Sequence, residues 1–228
     1  MNSINGLDDL NEAFYSDKFQ RKFYLDRAAA LIDPALAELN MKPGKVLALS
    51  RSWVSDLLLE RGENVRVLPA QLDLSERFDL ILAMDEVLTR ESDEQSQKRL
   101  ISQITSLLAP GGVMLATLRD YRNSNCHRRP LGDNTFSQLG KDRIVITEVN
   151  DLDQNDKQHW NQKLHVVIND REFTCIEAGP RRTLYFKQLA KYCSDADLEK
   201  FGVFKELFWR SHLRRAPEHL VYARARKG

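Results

Sequence analysis

The segment Leu107-Leu-Ala-Pro-Gly-Gly-Val-Met-Leu115 is the most informative part of the sequence for the fold. Before it, apolar residues between Asp93 and Leu108 recur on one helical face, and Pro-Gly-Gly is a poor continuation of a helix. After it, the run from Val113 to Leu118 is almost entirely apolar, as expected of a strand buried on both faces of a sheet. A helix that leads directly into such a strand predicts a parallel α/β sheet.

The sequence on the N-terminal side repeats this alternation. A helical pattern from Leu7 to about Leu39, with a break near Asp33-Pro34, comes before the first strand. The predicted strands are Lys45–Leu49, Asn64–Leu68 and Phe78–Met84, and a helix is predicted over Trp53–Arg61. The first half of the chain therefore predicts strand–helix–strand units with helices covering the sheet.

The pattern changes in the second half. Alternating apolar and polar residues between Asp142 and Phe186 predict antiparallel strands with one wet face. Helices are predicted over Leu184–Cys193 and Ser194–Phe201, and two closing strands over Val203–Trp209 and His219–Ala225. We expect one domain over residues 1–228, with N-terminal helices in 1–42 and an antiparallel lid inserted at 142–186.

Composition narrows the class of protein. The chain has 228 residues, with 34 Lys and Arg against 33 Asp and Glu, a balance that does not favour nucleic acid as a partner. Three scattered cysteines without a C-x-x-C pair argue against a disulfide framework or a zinc site and suit a reducing compartment. No signal peptide or transmembrane segment is predicted, so we expect a cytoplasmic protein without a metal.

Three segments carry a resemblance to the class I S-adenosylmethionine (SAM)-dependent methyltransferase family. They are Lys45-Val-Leu-Ala-Leu49, Arg77-Phe-Asp-Leu-Ile-Leu82 and the Leu-Leu-x-Pro-Gly-Gly string that ends in Leu115. The antiparallel insertion, Arg182-Thr-Leu-Tyr-Phe-Lys-Gln-Leu and the closing Phe208-Trp209 strand look like the glycine N-methyltransferase-type small-molecule branch. The resemblance implies a Rossmann-like, mostly parallel sheet and SAM as the cofactor.

The sequence departs from this family in three places. The loop after the first strand, Ser50 to Ser55, has no glycine, although the family has a glycine-rich loop there. Non-glycine residues forced into glycine-only conformations would cost about 1–3 kcal/mol each, and Trp53 or Val54 could fill the cofactor's space. The stretch between Gly62 and Phe78 is too short for a second strand–helix unit, since a crossover alone needs about 10–12 residues. We therefore expect a sheet that lacks one such unit.

The third departure concerns the carboxylate that binds the ribose in the family. The second strand ends in Leu68-Pro69, and the nearest carboxylate is Asp73. Each hydrogen bond lost to a charged acceptor is worth about 1.5–3 kcal/mol. Together with the loop, this predicts an eroded SAM-binding site.

Candidate site residues follow from the rule that ligands bind at the carboxyl ends of the strands in an open α/β sheet. Asp85 would act as a general base or anchor a substrate amine, unless it is a solvated loop residue. The candidate cofactor-binding residues are Leu49, Ser50, Ser52, Trp53, Asp73 and Met84. The candidate substrate- or anion-binding residues are Tyr15, Arg119, Tyr121, His127 and Arg128. Each of these residues also has a structural interpretation. Tyr15, Tyr24 and Trp53 could be core aromatics, and the basic residues could belong to a solvated loop.

Three functions remain open at this point. The first is a methyltransferase-derived protein with an eroded SAM site that binds a small molecule or a partner protein. The second is an active SAM-dependent methyltransferase acting on a small amine or hydroxyl acceptor. The third is a non-catalytic subunit of a methyltransferase heterodimer. Homo- or hetero-oligomers are compatible with all three, and neither a membrane nor nucleic acid is expected as a partner.

Overall fold

The computed structural model describes residues 18–68, 75–85, 87–119, 133–139, 142–152, 159–168, 171–209 and 218–227. Its strands in chain order are β1 (Lys45–Ala48), β2 (Asn64–Val67), β3 (Phe78–Ala83), β4 (Leu108–Arg119), β5 (Asp133–Leu139), β6 (Asp142–Leu152), β7 (His159–Ile168), β8 (Arg171–Arg182), β9 (Leu198–Trp209) and β10 (Glu218–Ala225). Its helices are α1 (Lys18–Glu38), α2 (Trp53–Glu60), α3 (Glu94–Leu107) and α4 (Phe186–Asp195), with a 3-10 turn over Val87–Thr89.

Six strands form the main sheet in the order β2-β1-β3-β4-β10-β9. The first four are parallel, and β10 runs antiparallel to both β4 and β9. Apolar residues alternate between the two faces of the strands. Leu47, Ile81 and Met114 pack with α3 and α4, whereas Val46, Leu80 and Val113 pack with α1 and α2. Both faces are therefore covered, which explains the continuous apolar runs of these strands.

The sheet is short at one edge, as the sequence predicts. In the part of the chain that the structure describes, β2 pairs with β1 and no strand pairs with its other side. The missing strand–helix unit thus falls at the edge, where its loss leaves the interior intact. The strand order reverses between β1 and β3, which places the binding crevice of this architecture at the carboxyl ends of those two strands.

A second sheet, β5 to β8, is entirely antiparallel and lies between β4 and α4 in the chain. It begins at Asp133, earlier than the insertion predicted from Asp142. The sequence prediction missed the first of its four strands, because Asp-Asn-Thr-Phe-Ser-Gln-Leu shows no clear alternation of apolar and polar residues. The division of the whole chain into domains stays a prediction.

Three local predictions are wrong. The helix does not break at Asp33-Pro34: α1 continues through Pro34, and the burial of Ile32 and Ala35 beside it offsets the lost hydrogen bond. No separate helix forms over Ser194–Phe201, because α4 ends at Asp195 and β9, which pairs with β10, begins at Leu198. Tertiary pairing has overridden the local helical pattern there.

The third concerns Pro110-Gly-Gly, which lies within β4 rather than before it. The strand bends there, with a register shift between Phe78 and Leu80 of β3. Gly111 has a φ of 73°, and a Cβ on Gly112 would lie 2.8 Å from the Ala109 carbonyl oxygen. Glycine is therefore required for the left-handed conformation at one position and for the close backbone approach at the other.

Candidate functional site

The loop after β1 continues the sheet for one residue before it turns into α2. The Leu49 N–H donates to the Leu82 carbonyl at 2.9 Å, and the Leu68 N–H donates to the Ala48 carbonyl at 3.0 Å. The chain then turns through Ser50 and Arg51 to Ser52, which is the N-cap of α2. The carboxyl ends of β1, β2 and β3 are thereby held together at one edge.

Hydrogen bonds between two serine residues stabilise this turn, which contains no glycine. Ser52 is buried, its hydroxyl accepts from the Ser55 N–H at 3.2 Å, and its own N–H donates to the Ser55 hydroxyl at 2.9 Å. This is a capping box, which satisfies donors that a helix start otherwise leaves open. Residues 49–53 all have negative φ values, so the glycine-free loop carries no left-handed strain.

The expected obstruction of the crevice by the first residues of α2 is not supported either. The Trp53 ring stacks on the Tyr24 ring of α1, with 4.9 Å between centroids and 9° between planes. Val54 is buried in the core cluster that α1 and α2 form with the sheet. Both side chains are therefore engaged by helix packing, and the core alternative for Tyr24 and Trp53 is the one that the structure favours.

A buried carboxylate fixes the same loop to both helices. Asp56 is 3% exposed and accepts from Arg21 of α1 at 3.0 Å and from Arg51 of the loop at 3.1 and 3.2 Å. Arg21 also reaches Glu60 at 2.8 Å. Sequence analysis missed this cluster, although an aspartate among five apolar residues in Trp-Val-Ser-Asp-Leu-Leu-Leu is a usable signal for a buried ion pair.

One polar atom in the loop stands out. The Ser50 hydroxyl oxygen is buried and has no hydrogen-bond partner among the described residues. A buried hydroxyl left without a partner costs about 1–3 kcal/mol. Such an atom is a candidate contact for a polar ligand at the carboxyl edge of the sheet.

Asp85 lies across the crevice from this loop, directly after Met84 and β3. Met84 is buried, while Asp85 is exposed and has a φ of 55°. Two other described non-glycine residues have positive φ, Asn40 and Asp197, and both follow helices, where a left-handed residue is an ordinary stop. Asp85 instead follows a strand, and such a conformation at a crevice is a feature of functional sites.

The structure gathers part of the predicted site. It brings Leu49, Ser50, Ser52, Trp53, Met84 and Asp85 to the carboxyl edge of the sheet. Arg119 ends β4 at the same edge, opposite Glu218 of β10. The remaining candidates, Tyr15, Asp73, Tyr121, His127 and Arg128, lie outside the described residues.

The described residues contain no group of three or more His, Cys, Asp or Glu side chains that could hold a metal ion. Within the same part of the chain, no helix is both long enough and apolar enough to cross a membrane. Cys193 is buried, and burial raises the pKa of its thiol to about 12, which leaves it protonated and unreactive.

No protein-family model matches the sequence, and no curated protein matches it significantly. Solved structures do match its fold. The SAM-bound amino pentose methyltransferase CalS10 from Micromonospora echinaspora is 11% identical, with a TM-score of 0.62 over 98% of each chain. The sugar N-methyltransferase KedS8 from Streptoalloteichus sp ATCC 53650 is 12% identical, with a TM-score of 0.61 over 100% of this chain and 96% of that one.

The CcbJ methyltransferase from Streptomyces caelestis is 21% identical, with a TM-score of 0.59 over 88% of this chain and 89% of that one. These three likenesses each cover at least 88% of this chain. The chain therefore has the Rossmann-like fold of the class I SAM-dependent methyltransferases.

Proposed function

We propose that the protein is an active SAM-dependent methyltransferase whose acceptor is a small amine or hydroxyl compound. The observation that carries the proposal is Asp85, an exposed carboxylate in a left-handed conformation at the carboxyl end of β3. Asp85 follows β3 directly, and residues held in such disfavoured conformations cluster at active sites and ligand-binding segments.

The residues at the crevice fit the cofactor. Leu49 is partly buried and gives apolar surface, the Ser50 hydroxyl has a hydrogen bond to make, and the loop backbone is free of left-handed strain. SAM would supply an electrophilic methyl group when bound. Ser50 and the backbone of residues 49–52 would hold it from the β1 side of the crevice, with Asp73 a further candidate.

Asp85 would prepare the acceptor. Its carboxylate can accept a hydrogen bond from an amine or hydroxyl, hold it in line for attack and take up the proton released as the new bond forms. General base catalysis of this kind typically contributes a factor of about 10²–10⁴. An amine is the better acceptor for this site, because a carboxylate also attracts the ammonium form and raises the local amine concentration.

The fold neighbours support the choice of an amine. CalS10 is described as an amino pentose methyltransferase and KedS8 as a sugar N-methyltransferase. The hypothesis of an eroded SAM site loses two of its physical grounds. The loop has no left-handed residue, and the Trp53 and Val54 side chains pack against the helices and the core. A role as a non-catalytic subunit has no observation in its favour.

The test is a methyl-transfer assay with purified protein, SAM and a panel of primary amines, amino sugars and alcohols. We expect S-adenosylhomocysteine to form and one acceptor class to gain the mass of a methylene group. Asp85→Asn should lower turnover by about 10²- to 10³-fold, whereas Asp79→Asn, at the opposite edge of the sheet, should retain it. Binding of SAM without turnover on any acceptor would contradict the proposal, and absence of SAM binding would restore the erosion hypothesis.

A further inference from the structure

We infer that Arg182 is a positioning residue, which holds the segment that carries Asp85 in place relative to the second sheet. The inference rests on the proposed function, because it assigns Arg182 a task in that same site. Arg182 is the last residue of β8, and its side chain is 6% exposed. It acts on the acceptor indirectly, through Gln97 and the chain between β3 and α3.

Gln97 is the point at which three segments meet. Its side-chain carbonyl accepts from the Arg182 guanidinium at 2.6 Å, and its amide nitrogen donates back to the Arg182 main-chain carbonyl at 3.0 Å. The same amide nitrogen lies 3.5 Å from the Leu88 carbonyl of the 3-10 turn. Gln97 is 1% exposed, so these bonds form in the interior, where their geometry is strongly constrained.

Leu88 belongs to the short segment that starts at Asp85. The Val87 N–H donates to the Met84 carbonyl at 3.2 Å, and the Arg90 N–H donates to the Val87 carbonyl at 3.2 Å. A shift of Leu88 is therefore transmitted through one turn to Met84 and Asp85. The position of Asp85 is sensitive to the loss of contacts in this segment, because those contacts must hold a left-handed backbone conformation that the residue disfavours.

The cross-strand partner of Arg182 reaches the same segment from the other side. His159 of β7 is directly opposite Arg182 in the register, and its Nε2 lies 2.7 Å from the Ser92 carbonyl oxygen. One residue pair at the end of the second sheet thus contacts the β3–α3 connection through His159 and contacts Gln97 of α3 through Arg182. The second sheet is therefore joined to this connection directly at Ser92, and to Leu88 through the Gln97 side chain.

A purely structural role explains Arg182 less well. One carboxylate near it, Glu94, lies 3.4 Å away, is about half exposed and is shared with Lys98 at 2.6 Å. Burying a guanidinium against such a neighbour gains little stability over an apolar side chain of similar size. A planar group that donates in a fixed direction is useful where orientation matters.

The variants that test the inference are Gln97→Glu and Arg182→Lys. Gln97→Glu keeps the acceptor that Arg182 uses and gives it a charge, but it removes the N–H donors to Leu88 and to the Arg182 carbonyl. The second sheet stays attached while the link to Leu88 is lost. Arg182→Lys keeps the charge and loses the fixed direction. The matched control is Arg61→Lys, because Arg61 also makes two hydrogen bonds between elements, to Asp33, at the far edge of the sheet.

Hydrogen–deuterium exchange of the protein without ligand is the first measurement. We expect Gln97→Glu to speed exchange in the peptide that covers residues 84–93 and to leave the peptides of β1 and α2 unchanged. Steady-state kinetics is the second. We expect kcat to fall by about 10- to 100-fold, as for a small displacement of a reacting group, with an unchanged Kd for SAM. Arg182→Lys should give a smaller loss, and Arg61→Lys none.

The outcomes separate the inference from the proposed function. Faster exchange with an unchanged kcat, or a loss of kcat with an equal loss of SAM affinity, would overturn the positioning role and leave the methyltransferase proposal standing. A wild-type protein that binds no SAM and methylates no acceptor would overturn both. In that case the exchange measurement would still show whether Gln97 holds the Leu88 segment.

Discussion

The two edges of the six-stranded sheet use their polar groups in different ways. At the amino edge, one Asp79 carboxylate oxygen accepts from the Gly44 N–H at 2.9 Å and from the Lys45 N–H at 2.8 Å. At the carboxyl edge, the Ser50 hydroxyl is buried without a partner in the described structure, and Asp85 has a left-handed φ. The Asp79 carboxylate is thus satisfied at one edge, whereas the Ser50 hydroxyl lacks a described partner at the other.

This difference indicates what each edge is for. A chain under selection for stability satisfies its buried polar groups and relaxes its backbone, and the places where it does not are candidates for function. The amino edge closes the sheet and gains stability from Asp79. The carboxyl edge retains an unmet hydroxyl and a disfavoured backbone conformation, which a bound ligand would make use of.

The largest expected effect is at the carboxyl edge. Asp85→Asn should lower kcat by about 10²- to 10³-fold, because the amide cannot accept the acceptor's proton. Asparagine also tolerates a positive φ, so the free energy of unfolding should stay within about 0.5 kcal/mol of wild type. Initial rates and urea unfolding measure the two quantities. A variant that keeps full kcat would contradict the assignment of a catalytic role to Asp85 at the carboxyl edge.

The amino edge should give the opposite pattern. Asp79→Ala deletes an acceptor of two main-chain N–H groups and should lower the free energy of unfolding by about 1–3 kcal/mol. Affinity for SAM and kcat of the folded variant should be unchanged, since Asp79 lies at the far end of β3. Chemical unfolding and calorimetry check this. Loss of cofactor affinity without loss of stability would contradict the assignment of the two edges.

Ser50→Ala should change stability and binding in opposite directions. Removal of a buried hydroxyl that has no partner should raise the free energy of unfolding of the free protein by up to about 1 kcal/mol. If that hydroxyl binds the cofactor, the affinity for S-adenosylhomocysteine should fall by about tenfold, which corresponds to about 1.4 kcal/mol. A thermal melt and a titration on one preparation give both values. A stability loss would show that the hydroxyl is already satisfied.

The smallest effect concerns acid stability at the amino edge. The hydrogen bond from Arg61 lowers the pKa of the Asp33 carboxyl below its ordinary 3.8. Because the folded-state pKa is the lower one, the pair stabilises the protein above pH 3.8 and loses this contribution as the pH falls through the lowered value. Both side chains are well exposed, so Asp33→Asn should reduce the acid-dependent change in unfolding free energy by about 0.5 kcal/mol or less. Unfolding curves at pH 5 and pH 3 measure it, and a larger reduction would show that the pair is screened less than its exposure implies.

Much of the fold can be predicted from the sequence, because burial on both faces leaves a strong signal. The apolar runs at β1, β3 and β4 appear where predicted, and the missing edge unit follows from chain length alone. Predictions failed where a distant partner decides the local conformation. Residues 198–201 are strand because β10 pairs with them, and Pro34 stays helical because α1 is packed on both sides of it.

The candidate site is less predictable for a similar reason. Position along the strands was enough to place Ser50, Met84 and Asp85 at one edge. The loop was expected to be strained because it lacks glycine, but the Ser52–Ser55 capping box gives it a relaxed path that composition alone does not reveal. Contacts such as Arg182 with Gln97 join residues far apart in the chain, and no local pattern encodes them.

The most direct test of the account is a calorimetric titration of the wild-type protein with S-adenosylhomocysteine, with Asp79→Asn and Ser50→Ala as the two edge variants. We expect micromolar binding by wild type and by Asp79→Asn, and weaker binding by Ser50→Ala. Absence of binding by the folded wild-type protein, or equal binding by all three, would contradict the claim that the carboxyl edge is kept for a cofactor.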